Sequence, residues 1–179
     1  MFECFPRFDI GGVELREIKS ESDGPAYYAY MNRPEVKEFI THDNVPVDLA
    51  AAVDDLNYWG GLFKRRSSIY WAIALSETGQ MIGTIGFNAW NRTHNRSEIS
   101  YDLDPICWGH GIMHRAMERI LEFAHVEMKM MRVQATVVTE NSRSIKLLER
   151  MNFEKEGVLR KYEIVAGQHR DYYMYSKVW

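Results

Sequence analysis

The sequence predicts a single-domain α/β (α+β) protein with a mixed, mostly antiparallel central sheet of about seven strands, flanked by about four helices. Segments that alternate apolar and polar residues with period two follow one another through the middle of the chain, as half-buried strands do. Segments with apolar residues at helical spacing precede and follow them. Strands joined directly by tight turns favour an antiparallel meander over the repeated strand–helix–strand order of a doubly wound sheet.

Composition limits the class further. A chain of 179 residues that is 46% hydrophobic fits one domain, 1–179, with a sizeable core. Its net charge of −3 argues against nucleic acid as a partner, because phosphate-binding surfaces are usually basic. Cys4 and Cys107 are too few for a disulfide scaffold. The sequence shows neither a secretory signal nor an apolar run long enough to cross a membrane, so we expect a cytoplasmic protein without a membrane partner. We expect it to be a monomer or a homodimer.

The first third of the chain predicts one strand and two helices. Residues 13–18 alternate as a half-buried strand. Ser20 and Asp23 are candidate N-caps for the helix that runs to Met31. Pro34 breaks that helix, and Asp48 can cap the next one, whose apolar residues follow the 3.6-residue period.

The middle of the chain predicts the meander. Strands over 69–75 and 81–90 are joined by a hairpin turn at Gly79. Gly83 and Gly86 within the second strand predict a bend or the close approach of another backbone. A polar turn over 91–95 leads into a strand that includes 99–103, which Pro105 ends because proline lacks the amide donor of a strand ladder.

Two glycines, Gly109 and Gly111, then separate this strand from a long amphipathic helix over 112–128. Glycine lets the backbone turn sharply, and the first N–H groups of a helix have no internal partner and carry partial positive charge. The loop therefore suits an anion, although an ordinary strand-to-helix turn has the same sequence. A dinucleotide fingerprint fails because His114 stands where its third glycine belongs, and the Gly-Lys-Ser/Thr of a P-loop is missing.

The last third predicts a strand, a helix and a hairpin. Residues 131–138 alternate cleanly as a strand. Asn141 can cap the next helix, and Asn152 can take the left-handed conformation that ends it. Alternating strands over 156–160 and 170–176 surround a turn at 166–167.

Two of these segments resemble the signatures of the GNAT acetyltransferase superfamily. Residues 106–111 are similar to its Gln/Arg-x-x-Gly-x-Gly/Ala loop, with Ile106 at the first position instead of Gln or Arg. Residues 141–153 are similar to its second signature, with Asn152 replacing a glycine. The phrases at 32–36, at 104–112 and in the tail resemble the branch that contains the ribosomal-protein N-terminal acetyltransferases RimJ and RimL. The resemblance covers 13–178.

The resemblance implies the GNAT fold, splayed at its central strands, and acetyl-CoA as cosubstrate with no metal. The pantetheine arm would pair with backbone exposed at Tyr101, Asp102 and Leu103. The pyrophosphate would bind backbone N–H groups of the loop and helix start, namely those of Trp108, Gly109, His110, Gly111, Ile112 and Met113. Asn141 matches a position that contacts the cofactor arm, and it is equally explained as a plain N-cap.

Glu98 matches a position that is often acidic in this family, where a carboxylate removes a proton from the amine. The alternative is a solvent-facing carboxylate, or one paired with Arg96. Ser144 stands at the serine position of the RimL-like branch and can donate a hydrogen bond to the departing thiolate, or only cap its helix. The family's usual tyrosine acid is missing because Leu148 stands at its position. Tyr101 and Tyr162 are further candidates, with aromatic packing as the simpler interpretation.

Three further patterns in the sequence are explained more simply by core packing or by exposure to solvent than by a catalytic or binding role. Four aromatic residues of the early helices either shape an acceptor site or belong to the core: Tyr27, Tyr30, Phe39 and Tyr58. His110, His114 and Glu118 share a helix face, and we interpret them as a solvated surface. Cys107 has no ordered His and acid beside it in sequence, so we interpret it as loop packing.

The resemblance therefore predicts an acetyl-CoA-dependent N-acetyltransferase that acts on a primary amine. A protein N-terminal amine is the acceptor that the branch suggests, while a polyamine, an amino acid or an amine antibiotic stays open. The competing hypothesis is a non-catalytic acyl-CoA-binding module, which the departures at Ile106 and Leu148 favour.

Overall fold

The computed structural model describes residues 4–179, apart from the side chain of His42, and contains one eight-stranded sheet with five α-helices. The strands are β1 (Phe8–Asp9), β2 (Val13–Arg16), β3 (Tyr70–Leu75), β4 (Met81–Asn91), β5 (Arg96–Leu103), β6 (Arg132–Val138), β7 (Glu154–Val165) and β8 (Gln168–Val178). The helices are α1 (Ser20–Met31), α2 (Pro34–Lys37), α3 (Leu49–Lys64), α4 (Ile112–Val126) and α5 (Ser142–Arg150).

The sheet order is β1-β2-β3-β4-β5-β6-β8-β7, and every neighbouring pair except one is antiparallel. The exception is β5 with β6, which α4 connects and which run parallel. Their pairing covers three residue pairs and stops at Glu98 with Gln134, although β5 continues to Leu103 and β6 to Val138. The central strands therefore splay, as the resemblance predicted.

Helices cover both faces of the sheet. One face packs against α4 and α5 in the larger core cluster, which includes Trp71, Ile99, Met117 and Leu148. The other face packs against α1 and α3 in a second cluster around Tyr27, Tyr30, Leu56 and Tyr70. Because side chains alternate along a strand, the central strand β3 contributes to both clusters, with Trp71 and Ile73 in the first and Tyr70 and Ala72 in the second.

Most local predictions are confirmed. The Asp48 carboxylate accepts from the Ala51 N–H at 2.8 Å and caps α3. Asn152 has a φ of 59° directly after α5, in the left-handed conformation that ends the helix. Gly86 is required by close approach, because a Cβ there would lie 2.4 Å from Cγ of Tyr70.

Two local predictions differ from the structure. The N-cap of α1 is Lys19, and neither Ser20 nor Asp23 caps it. Asp23 instead lies buried in the first turn, where its carboxylate takes two hydrogen bonds from Arg16, at 2.7 and 2.8 Å, and one from the Lys19 N–H. A buried arginine needs a carboxylate partner, and this demand outweighs the capping preference. Pro34 ends one helix as predicted but also begins α2, where its missing N–H costs nothing.

The structure has one more strand and one more helix than predicted. β1 contains two residues and α2 four, so neither is long enough to show a repeating pattern in sequence.

Candidate active site

Glu98 lies at the point where β5 and β6 diverge. Its carboxylate takes one hydrogen bond from Gln134 Nε2 and one from Thr136 Oγ1, both at 3.1 Å. Gln134 is its partner in the last pair of the ladder, and Thr136 lies beyond it, so the carboxylate spans the start of the gap. The side chain is half-buried, which leaves it fixed in orientation and reachable from solvent. Among the described residues its hydrogen-bond partners are these two side chains of β6, and Arg96, the partner considered from the sequence, does not pair with it.

On the opposite face of β5, a tyrosine hydroxyl of the strand lies next to a serine hydroxyl of α5. Tyr101 points toward α5, and its Oη lies 2.6 Å from Ser144 Oγ. Burial raises the pKa of Tyr101 to about 12, with the hydrogen bond to Ser144 acting in the other direction. The phenol therefore keeps its proton at physiological pH and acts as a hydrogen-bond group.

Asp102 places a half-buried carboxylate on the Glu98 side of β5. It accepts from Tyr30 Oη at 2.6 Å, from the Thr84 N–H at 2.9 Å and from Thr84 Oγ1 at 2.6 Å. Burial raises the pKa of Asp102, and these three donors oppose the shift. The network ties α1 to β4 and β5, so it fixes one wall of the gap.

Ser100, between Glu98 and Asp102 on the same face, continues this polar row. Its Oγ lies 2.6 Å from Tyr70 Oη, and Tyr70 in turn donates to Asn88 Oδ1. The Tyr70 ring stacks on Trp59 of α3 with centroids 5.4 Å apart. An aromatic layer therefore supports the polar face of β4 and β5.

The glycine loop adopts the conformations that its sequence predicts. Gly109 and Gly111 have φ of 80° and 71°, the left-handed region that favours glycine. Gly111 is the N-cap of α4, and within residues 4–179 no side chain caps that helix. At the start of α5, by contrast, Asn141 Oδ1 accepts from the Ser144 N–H at 3.2 Å. The first N–H groups of α4 are thus left for a ligand or solvent.

Trp108 anchors this loop to the end of β5. Its indole Nε1 donates to the Leu103 carbonyl at 2.9 Å, and the guanidinium of Arg143 from α5 lies 4.3 Å from the ring centroid. The Leu103 carbonyl thus accepts one hydrogen bond from the loop and keeps a second lone pair. Arg143 adds a cation beside the loop, where an anion would bind.

The structure also tests the weaker candidates. Burial and the nearby Asp104 raise the pKa of the Cys107 thiol, which disfavours the thiolate that a nucleophile needs. His110 is exposed, with Nδ1 3.4 Å from the Cys107 carbonyl oxygen. In the described part of the chain, His, Cys, Asp and Glu side chains form no group of three suited to a metal ion.

The predicted acceptor aromatics divide into two sets. Tyr27 and Tyr30 are fully buried and belong to the core cluster under α1. Tyr58 on α3 is 60% exposed, and Phe39 packs beside Val138 and Tyr172. Tyr162 on β7, which was predicted as a candidate acid and not as an acceptor contact, is 48% exposed. Of the predicted set, Tyr58 and Phe39 are therefore the ones outside the main core clusters.

Sequence reasoning missed the side chains that hold the site residues, including Gln134, Thr136, Thr84 and Arg143. The alternation in 131–138 assigns Gln134 and Thr136 to one face of their strand. It does not show which strand lies beside β5, so it cannot connect them to Glu98.

Solved structures share this fold. The ribosomal-protein-S5-alanine acetyltransferase of Vibrio fischeri superposes with a TM-score of 0.86 at 24% identity, covering 97% of each chain. A RimL ribosomal alpha-N-protein acetyltransferase in complex with coenzyme A gives a TM-score of 0.87 at 19% identity, over 97% of this chain and 98% of that one. The fold, with its splayed central strands, is that of the α/β N-acetyltransferases.

The chain belongs to the acetyltransferase (GNAT) domain family, whose model matches residues 13–154. It is 31% identical over 174 residues to the uncharacterized N-acetyltransferase YoaA of Bacillus subtilis, covering 97% of each chain. It is 33% identical to the uncharacterized N-acetyltransferase p20 of Bacillus licheniformis, over 92% of this chain and 91% of p20. The protein is therefore an N-acetyltransferase. None of the helices in the described residues is long and apolar enough to span a membrane.

Proposed function

We propose that this protein transfers the acetyl group of acetyl-CoA to a primary amine, with the α-amine of a peptide or protein N-terminus as the preferred acceptor. The observation that supports this most is the position of Glu98. Its oriented carboxylate stands where the central strands separate, on the strand that leads into an uncapped helix start.

The residues present suit coenzyme A. Two left-handed glycines and the free N–H groups at the start of α4 match the needs of a pyrophosphate, which backbone donors bind without side chains. We assign that role to the loop and helix-start residues, Trp108, Gly109, His110, Gly111, Ile112 and Met113. The backbone edge of β5 from Tyr101 to Leu103 faces the gap and would pair with the pantetheine arm, beside Asn141.

Glu98 would serve as the base. An amine attacks a thioester only when neutral, yet an α-amine has a pKa near roughly 7.7–8.0 and a lysine amine near roughly 10.4. The nitrogen forms the new C–N bond, the carboxylate takes the proton from nitrogen, and the C–S bond breaks. Backbone N–H groups at the open edge of β5 would stabilise the charge that develops on the carbonyl oxygen.

Ser144 and Tyr101 would receive the departing thiolate. Their hydroxyl groups are hydrogen-bonded to each other and lie on the α5 side of the gap, where Leu148 leaves no acid. Because burial raises the pKa of Tyr101 to about 12, the pair donates a hydrogen bond to sulfur, and solvent supplies the proton.

Support for a peptide acceptor comes from relatives. The chain is 27% identical over 110 residues to a protein of Escherichia coli named [ribosomal protein uS5]-alanine N-acetyltransferase, covering 61% of this chain and 57% of that one. This likeness favours an α-amine over a polyamine, an amino acid or an amine antibiotic.

The test is release of CoA thiol from acetyl-CoA in the presence of N-terminal peptides and of small amines, with mass spectrometry of the product. We expect amine-dependent thiol release by the wild type and its loss in Glu98→Gln, which keeps the side chain's size but cannot accept a proton. Thiol release that does not depend on any amine would contradict the proposal.

A further inference from the structure

Glu98 is flanked by two amide side chains in one row across the sheet. The strand register pairs Asn88 of β4 with Glu98 of β5, and Glu98 with Gln134 of β6. Paired residues on neighbouring strands project to the same face. The hydrogen bonds of Asn88 with Tyr70 and of Gln134 with Glu98 place both amides on the side where the acceptor would lie.

In each of the two side-chain amides, one of the two polar atoms makes a hydrogen bond within the described residues and the other does not. Asn88 Oδ1 accepts from Tyr70 Oη, so its Nδ2 points away from the aromatic layer. Gln134 Nε2 donates to Glu98, so the Oε1 of Gln134 remains available as an acceptor. Within residues 4–179, neither Asn88 Nδ2 nor Gln134 Oε1 has a hydrogen-bond partner. Asn88 is exposed and Gln134 half-buried, so a ligand can reach both.

The free groups are complementary to a peptide unit. One side of Glu98 offers an N–H donor and the other a carbonyl acceptor, with the two Cα atoms roughly 10 Å apart across two strand spacings. The C=O and N–H of a trans peptide unit point to opposite sides of the chain, and they need one donor and one acceptor from opposite directions. A simple amine carries neither group.

We propose that Asn88 and Gln134 recognise the first peptide group of the acceptor while Glu98 holds its α-amine. Asn88 Nδ2 donates to the carbonyl of the first acceptor residue, and Gln134 Oε1 accepts from the next N–H. Tyr70 is a positioning residue, because its hydroxyl fixes which end of the Asn88 amide faces the acceptor. This inference rests on the proposed function and adds how a peptide is distinguished from a small amine.

The test compares two acceptors that differ in the peptide group, a tri-alanine amide and 2-methoxyethylamine, in the acetyl-CoA assay. Asn88→Ala removes the donor without touching Glu98. We expect it to raise KM for the peptide about fivefold, the usual scale of one hydrogen bond, and to leave kcat/KM for the alkylamine unchanged.

Gln80→Ala is the matched control, because it removes an exposed amide at the turn between β3 and β4. Thermal melting checks that each variant is folded. An equal change for both acceptors in Asn88→Ala, or no change for either, overturns the inference. A wild type that acetylates the alkylamine and not the peptide overturns it while sparing N-acetyltransfer itself. A wild type that acetylates no amine overturns the proposed function as well.

Discussion

The two faces of β5 offer different chemistry within one strand. Toward α1 and α3, Glu98, Ser100 and Asp102 are all polar, and each is hydrogen-bonded to side chains of neighbouring elements. Toward α4 and α5, Ile99 and Leu103 are buried in the apolar core. Two hydroxyl groups lie on this face, that of Tyr101, bonded to Ser144, and that of Ser97, which donates to the Asn88 carbonyl at the start of the strand. The strand separates a polar wall from a mostly apolar one.

The difference shows how a single strand can serve two substrates. Alternation fixes which face each side chain joins, so a base for the amine and a donor for the thiolate can be three residues apart and still lie on opposite sides. The backbone edge between them stays open because β6 leaves the ladder after Glu98. Substitutions on each face are therefore expected to affect different substrates.

The largest effect is expected from Glu98→Ala. Without a base on the acceptor face, kcat for a peptide should fall by about two orders of magnitude or more. CoA affinity by titration calorimetry should stay at the wild-type value, because the side chain faces away from α4 and α5. Glu118→Ala, which removes an exposed carboxylate from α4, is the control. A normal kcat in Glu98→Ala shows that the base lies elsewhere.

The next effect is expected from Gly111→Val. Its φ of 71° puts a β-branched residue in the left-handed region, at a strain of roughly 1–2 kcal/mol. The free loop is expected to relax out of this conformation, so CoA must pay to restore it and should bind about tenfold more weakly by calorimetry. Gly157→Val in β7, where an added Cβ meets nothing within 4 Å, is the control. Equal affinities of the two variants would remove the loop from the cofactor site.

A smaller effect is expected from Ser144→Ala, on the face of β5 that packs against α4 and α5. Loss of one hydrogen bond to the leaving group, about 1 kcal/mol, should lower kcat roughly fivefold and leave KM for the amine unchanged. Ser142→Ala, an exposed serine of the same helix, is the control. A raised amine KM at constant kcat would instead move this hydroxyl to the acceptor side.

The smallest effect is the pH dependence of Tyr101. Burial raises the pKa of this phenol to about 12, so the neutral donor persists as the pH rises past the ordinary value of 10. The ratio of kcat for wild type and Tyr101→Phe should therefore stay constant between pH 7 and pH 10. A ratio that falls toward one near pH 10 would mean that the phenol ionises there and no longer donates.

The sequence predicted the elements and the conformation of the glycine loop because their signals are local. Asn141, Asn152 and the left-handed glycines act within one turn of chain, so their residue types alone specify the conformation. Glu98 was predicted by family resemblance. Its partners were not, because Gln134 and Thr136 reach it only through the parallel pairing of β5 with β6, which no local pattern encodes. Asp23 was misassigned for the same reason, since its partner Arg16 lies in the preceding strand.

The divergence of β5 from β6 also has a signature that does not depend on turnover. Backbone amides of β5 beyond residue 98 that face β6 have no ladder partner, so they are available to exchange with deuterium without any unfolding of the sheet. Amides of β5 that face β4 remain in a continuous ladder and should exchange far more slowly. Slowing of exchange in the first set alone, on addition of coenzyme A, would report occupancy of the cleft directly.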